Sequence, residues 1–433
     1  MTQRTRFDVN DIFYGWWNVA GGFVLLFLYA GAGFYSFSIF INPLEDAFGW
    51  SRAAISLTMS IYMIVHGVCA PLIGHMIRVY GPKRVMTIAA ALSGICFISV
   101  SFTPSLWYFY AAYALLAVAT TGIGFIPVSE ILSRWFVKRR GTAIGFAMVG
   151  ISFGGFIMAP LVAEIIGRFG WRYSFVFLGV LVWVLGFPVT LFVMKGDPAD
   201  MGLLPDGKKN TSTPDEHSGR SADSSFPGHA AEGWPFKAAI RSRAFFFLAL
   251  TFFFASLAQM GVLQHQVPMI LDIGISKAAA ATALGLTAGL GGVGKLAFGR
   301  LSEVLPFKYA PVLCFGLQAL GILILLNAES LTVVWVYVFL FGFAMGGVIV
   351  LLPLVVGHFF GLSSFGVIMG TLSFLQAMGA SSGVLVSGLV YDAFGSYRFA
   401  LMSYVCFSLV AVVSILLTGK PKPYVKRISS QGH

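Results

Sequence analysis

The stretch Ala278–Leu305, AAAATALGLTAGLGGVGKLAFGRLSEVL, decides how the rest of the chain is read. It is apolar, glycine-rich and long enough to cross a bilayer. One lysine, Lys295, sits inside it, and Glu303 closes it. Lys295 lies eight residues before Glu303. At the helical rise that is about 12 Å, close to mid-bilayer. A charge at that depth costs at least about 2.5–3.5 kcal/mol, so it is read as a functional group. A lysine near a helix end can instead snorkel to the nearer interface. Helical side chains tilt toward their own N-terminus, however, which here points toward the membrane centre. Gly285, Ala288, Gly291, Gly292 and Gly299 fall on the same face. Small residues permit close helix packing, and they also leave room for a ligand beside the ammonium.

Composition sets the class. The 433 residues are 58% hydrophobic and 10% charged, with a mean hydropathy of +0.85. That is a polytopic membrane protein. Cys69, Cys96, Cys314 and Cys406 all lie in apolar runs, without disulfide or metal-ligand spacing. The net charge of +11 is spread over alternate loops, which argues against nucleic acid as a partner. The first apolar run is too long for a cleavable signal peptide and is expected to remain as the first helix.

Twelve apolar segments are predicted to span: 17–41, 54–78, 85–102, 106–130, 142–166, 173–194, 244–268, 279–302, 309–327, 331–357, 366–390 and 398–418. The longest connection, 195–243, is polar, and its middle (206–231) reads as a flexible linker. Its end, GWPFKAAIRSRAF, has the pattern of a short interfacial amphipathic helix. The chain thus divides into an N-terminal bundle (1–194), a linker (195–243) and a C-terminal bundle with a tail (244–433). Twenty-two of the 28 basic residues fall in the termini, the linker and loops on that side, and five on the other, with Lys295 inside a span. By the positive-inside rule both termini are cytoplasmic, and the setting expected is the cytoplasmic (inner) membrane.

An internal repeat supports the division. One ungapped offset of 225 pairs Pro43 with Pro268, Gly67 with Gly292, Gly74 with Gly299, Gly154 with Gly379, and Phe169-Gly170 with Phe394-Gly395. Two like halves facing a central cavity make a transporter architecture, with its site near the midplane.

After the second segment comes GHMIRVYGPKR (Gly74–Arg84), which resembles the loop signature of the major facilitator superfamily. The signature has an acid where this chain has Arg78; the second copy, GRLSEVLPFK, does carry the acid, as Glu303. The resemblance implies a conformational latch built on Gly74, Arg78, Arg84, Gly299 and Glu303. Glu130 can pair with Arg78 or, at i,i+4, with Arg134.

Within that superfamily the chain is similar to the monocarboxylate transporter family, in its bacterial branch. The stretches that carry this are FYGWWNV (13–19), PLEDAFGWSRAAIS (43–56), RWFVKRRGTAIGFAMVGISFGG (134–155) and DPADMGLLPDG (197–207). QHQVPMILDIGIS (264–276), then FGVIMG and YDAFGSY within 365–397, complete them. The resemblance implies an all-α protein with twelve transmembrane helices in two six-helix pseudo-symmetric bundles. It also implies small monocarboxylate substrates, often moved with a proton, a cation in helix 8 that holds the carboxylate, and a monomer. Lys295 falls at the position of that cation. Relatives more often have Arg there, and Lys reads carboxylate geometry less strictly.

Proton-coupled relatives carry an acid one turn before that cation, where this chain has Gly291; some have a helix 1 lysine, where it has Tyr35. His66 and His265 are the remaining proton-coupling candidates, since imidazole titrates near neutral pH. Each also admits a structural role. Segment 366–390 contains no cation, and one buried charge balances one carboxylate, so a monoanion is favoured. Gln376, Ser381 and Ser382 offer neutral hydrogen bonds, and Tyr29, Phe34, Tyr35 and Phe125 are candidate cavity aromatics, or packing residues.

The sequence therefore predicts a secondary active transporter of a lactate- or pyruvate-like monocarboxylate, proton-coupled and working by alternating access. An exchanger of the oxalate/formate type, a uniporter and a non-transporting membrane sensor are the alternatives. No nucleotide motif, catalytic constellation or metal-ligand set appears, so neither a cofactor nor an enzyme is expected.

Overall fold

The computed structural model describes residues 13–207, 234–306, 308–361 and 365–419; of Gly207, Glu303, Phe365 and Gly366 only the backbone is described. Twelve membrane-length apolar helices lie among the described residues: α1 (Gly15–Phe48), α2 (Arg52–Tyr80), α3 (Pro82–Ser101), α4 (Leu106–Trp135), α5 (Arg140–Phe169), α6 (Trp171–Val193), α7 (Arg243–Asp272), α8 (Lys277–Ser302), α9 (Tyr309–Leu326), α10 (Leu331–Phe360), α11 (Val367–Phe394) and α12 (Arg398–Leu417). Helices are the open-ended structure that satisfies backbone polar groups within lipid, so the apolar runs dictate them. Serines start several of them. The hydroxyls of Ser51, Ser105, Ser242 and Ser276 accept backbone N–H groups of α2, α4, α7 and α8.

The six-plus-six arrangement appears in the packing. Gly154 of α5 lies under the Phe27 carbonyl of α1, and Gly379 of α11 under the Phe253 carbonyl of α7. A Cβ at either glycine would come within 2.4 Å and 2.3 Å of those oxygens, so only glycine permits the approach. The two bundles meet chiefly along α2 with α11 and α5 with α8, and also where α7 touches α1.

The α2–α11 pair is tight at one end. Near Arg52, Gly388 of α11 packs on the backbone of Ala53, and the Ser60 hydroxyl donates to the Ser381 carbonyl at 2.8 Å. Toward the end that holds Arg78, Gly67 and Gly74 of α2, Gly141 and Gly145 of α5 and Gly370 of α11 face open space among the described residues. The molecule is closed at its Arg52 end and spread at its Arg78 end.

Several details depart from the sequence reading. α1 is not uniformly α-helical, because Tyr29–Tyr35 (YAGAGFY) forms a wider π-helical stretch. α4 breaks at 122–124, between Leu106–Thr121 and Phe125–Trp135, where Gly122 and Gly124 flank Ile123. The expected interfacial helix is one turn, Phe236–Ala239; Ser242 caps α7 and takes Arg243–Phe245 into the span. The linker starts later than expected. Asp206 is held by the backbone N–H groups of Val137 and Lys138, at 3.3 and 2.9 Å, so DPADMGLLPDG is tied to the α4–α5 turn. Residues 208–231, the rest of the expected flexible stretch, lie outside the described residues.

Candidate functional site

Lys295 lies half-buried on α8, and its ammonium donates to the Ser152 hydroxyl of α5 at 3.1 Å. It makes no ion pair among the described residues. Ser152 is buried and sits against Gly292, so the small residue one turn before Lys295 admits α5 and its hydroxyl. Gly291 has a different neighbour. A Cβ there would come within 2.6 Å of the Met345 methyl of α10, so that side chain covers the place an acid would take.

Beside α2 and α11 lies a cavity of about 230 Å³. Four of the candidate residues line it: Tyr29 and Phe34 of α1, His66 of α2 and Gln376 of α11. The Tyr29 hydroxyl and His66 Nε2 are 3.0 Å apart. The sequence reading missed Tyr62, Ser256, Gln259 and Ser373, which complete its polar lining. Ser256 is buried and its hydroxyl has no partner among the described residues; Gln259 is spent on the Met345 carbonyl, at 3.1 Å. Polar residues in the otherwise apolar α7 were the available signal. The π-helical stretch explains the two aromatics, since it carries both Tyr29 and Phe34.

Other candidates fall elsewhere. Lys295 itself is not in the lining of this cavity but stands at the α5–α8 contact. Tyr35 is 5% exposed and packs against Gly155, and Ser381 bonds α2. The Ser382 hydroxyl turns back to the Met378 carbonyl, and Phe125 is exposed at the restart of α4. On the loop residues, Glu130 pairs with Arg134 at 3.0 Å, the i,i+4 alternative. Arg78 and Arg84 make no ion pair among the described residues, and the Glu303 side chain lies outside them.

A second ionic centre, which the sequence did not single out, closes the Arg52 end. Arg52 opens α2 and is 4% exposed. Its guanidinium donates to both carboxylate oxygens of Asp272 on α7, at 2.9 and 3.2 Å, to Glu45 of α1 at 2.9 Å and to the Tyr397 hydroxyl at 3.0 Å. It lies 3.7 Å from the centre of the Tyr391 ring. Asp392 of α11 accepts the Arg52 and Ala53 N–H groups, at 3.0 and 2.9 Å, and so caps α2 across the bundle boundary. His265 is fully buried here, between Ser56, the Val384 carbonyl and Tyr397. Burial holds the Tyr397 phenol well above its ordinary range, which keeps it a neutral hydroxyl.

Two six-helix bundles, with a cavity beside α2 and α11 and a lone ammonium at the α5–α8 contact, have the architecture of a transporter of the major facilitator type. The model of the Major Facilitator Superfamily matches residues 22–384 and, again, 267–433, and the chain belongs to that superfamily. It is 26% identical to monocarboxylate transporter 12 of Mus musculus, over 96% of this chain and 88% of that one. It is 24% identical to the MFS-type transporter YcxA of Bacillus subtilis (strain 168), over 91% and 93%. A bacterial homologue of the human lysosomal transporter Spinster, solved in an inward-facing and occupied conformation, has the same fold, with a TM-score of 0.72 at 14% identity over 94% of this chain and 97% of that one. The chain is a monocarboxylate-transporter-like member of the superfamily, a transporter and not an enzyme.

Proposed function

We propose that the protein moves a small monocarboxylate across the cytoplasmic membrane by alternating access, with Lys295 holding the carboxylate. One observation carries this reading. The Lys295 ammonium sits within a span with a single neutral hydrogen bond and no carboxylate partner among the described residues. An unpaired cation in a membrane is costly, and a substrate anion supplies what is lacking. Similarity to monocarboxylate transporter 12 over nearly the whole chain supports the substrate class. The bundles 1–194 and 244–433 rock against each other as a monomer. With the basic loops cytoplasmic, the Arg52 end faces out, and the state described above is open to the cytoplasm.

Proton symport through His66 is the coupling proposed. His66 stands in the cavity wall, bonded to Tyr29. Gly291 stands where proton-coupled relatives carry an acid, and its lack of a carboxylate favours a second reading, exchange or uniport. Uptake of labelled pyruvate and lactate into proteoliposomes, with and without an inward proton gradient, separates the two. Lys295→Ala is expected to weaken uptake by roughly 10- to 100-fold, the worth of a charge-assisted hydrogen bond. Uptake unchanged by that substitution would sink the site. Gradient-independent uptake that counter-anion drives would replace symport by exchange.

A further inference from the structure

Donor bookkeeping around His265 settles where its proton sits. The Val384 carbonyl can only accept, and it lies 3.1 Å from Nε2. The Ser56 hydroxyl donates to the Arg52 carbonyl, so it turns its oxygen toward Nε2, 2.8 Å away. Nε2 therefore carries the hydrogen, shared between these two acceptors. In a neutral ring Nδ1 is then an acceptor, and the Tyr397 hydroxyl stands 2.9 Å from it. Tyr397 donates there and accepts from Arg52 Nη1 at 3.0 Å. With a neutral imidazole, every donor in this chain of contacts has an acceptor.

A second proton on the ring breaks the arrangement in two ways. Nδ1–H would aim at an oxygen that already receives Arg52, and the Tyr397 hydrogen would lose its acceptor. It would also set a cation against the guanidinium. The groups facing His265 are Arg52 and Ser56 of α2, Tyr397 ahead of α12 and the Val384 carbonyl of α11. Glu45 of α1, Asp272 of α7, and Tyr391 and Asp392 of α11 surround Arg52 and are engaged with it. None of these four touches the ring, so none offers the extra proton an acceptor.

We propose that His265 is a proton site that keys the Arg52-end closure: the end shuts on the neutral ring, and a ring that has taken up a second proton holds it open. Ser56 belongs to the first bundle and His265 to the second, so separation of the bundles exposes the ring to solvent on that side. A proton taken up there must leave before the end can close. His265 thus senses pH on the Arg52 side and does not ferry protons with the substrate.

The test reads distance across the Arg52 end in the full chain, in nanodiscs and without substrate, so its outcome is independent of which anion is carried. Spin labels go on Phe102→Cys and Glu329→Cys, exposed positions at that end in opposite bundles, with the four native cysteines replaced. Between about pH 8 and about pH 5, across the imidazole range, the wild-type open-to-closed ratio is expected to rise. Below about 6.5, the value for a solvated imidazole, the rise approaches tenfold per pH unit. His265→Gln keeps one donor and one acceptor but gains no proton, and its distances are expected to stay flat with pH. Equal responses in the two proteins would overturn the proposal. So would a flat wild type in an assay where Asp272→Asn, which loosens the same closure, does lengthen the distance. If His265→Gln does not fold, Tyr397→Phe replaces it. That variant removes the hydroxyl donating to Nδ1, so the opening is expected to move to higher pH, and an unmoved midpoint would count against the proposal.

Discussion

Arg52 and Lys295 are both cations at helix–helix contacts between the two bundles, and the protein treats them oppositely. Arg52 has two carboxylates, a phenol and an aromatic face around it. Lys295 has one serine hydroxyl. The first arrangement leaves nothing for a ligand to add, and it joins α2 to α7 and α12. The second leaves a charge whose electrostatic complement is absent among the described residues. A filled ionic centre fastens two bodies; an unfilled one is what the proposed function would use to hold an anion.

The contrast breaks first on stability, where the largest effect is expected. Asp272→Asn removes the bidentate partner of a guanidinium that is 4% exposed. Glu45 and the Tyr397 hydroxyl still hold the guanidinium, so the charge is not stranded, and the loss of the charge-assisted pair is expected to cost about 2–3 kcal/mol. Lys295→Met has the opposite sign. It removes a charge whose burial costs at least about 2.5–3.5 kcal/mol, so the melting temperature should hold or rise. Thermal unfolding of the two variants in one detergent checks both. A Lys295→Met protein that melts well below wild type would mean that Lys295 is structurally paired after all.

Much of this was legible in the sequence, and the part that was not has a physical reason. Helix count and the two-bundle plan follow from apolar run length and the offset of 225, because backbone satisfaction in lipid leaves few options. Lys295 was visible because a charge in an apolar run stands out. Arg52 was not. It sits at a helix start, where an arginine reads as a solvated loop charge, and apart from Glu45, seven residues before it, its side-chain partners Asp272 and Tyr397 lie 220 and 345 residues away. The stretches 43–56, 264–276 and 365–397 had already drawn notice as a family resemblance. Their acids and aromatics, Glu45, Asp272, Tyr391, Asp392 and Tyr397, converge on Arg52, which no local spacing reveals. The break in α4 and the π-helical stretch of α1 were likewise hidden, since hydropathy does not distinguish one helical pitch from another.

Glycine substitutions sharpen the comparison between the two ends. A Cβ at Gly388 would come within 2.6 Å of the Ala53 backbone, at the closed end. Gly388→Val is therefore expected to wedge α2 from α11 and destabilise the closed Arg52 end by about 1–3 kcal/mol, as overpacking does. The distance between labels on Phe102→Cys and Glu329→Cys should lengthen even at neutral pH. Gly74 faces open space at the other end, and Gly74→Val should leave that distance unchanged, within about 0.5 kcal/mol. Equal shifts from both would show that the two ends do not differ in closure as described.

A smaller effect than the Gly388 wedge is expected at Tyr29. Its hydroxyl lies 3.0 Å from His66 Nε2 in the cavity wall, well separated in sequence from His265. Tyr29→Phe removes one neutral hydrogen bond, worth about 0.5–1.5 kcal/mol, so uptake should weaken by no more than about tenfold. The pH dependence is the informative readout. If His66 carries the coupled proton, Tyr29→Phe shifts the pH profile of uptake and leaves the Arg52-end distance profile alone. Tyr397→Phe does the reverse. A Tyr29→Phe protein whose uptake profile matches wild type would detach His66 from coupling, while leaving the role proposed for Lys295 untouched.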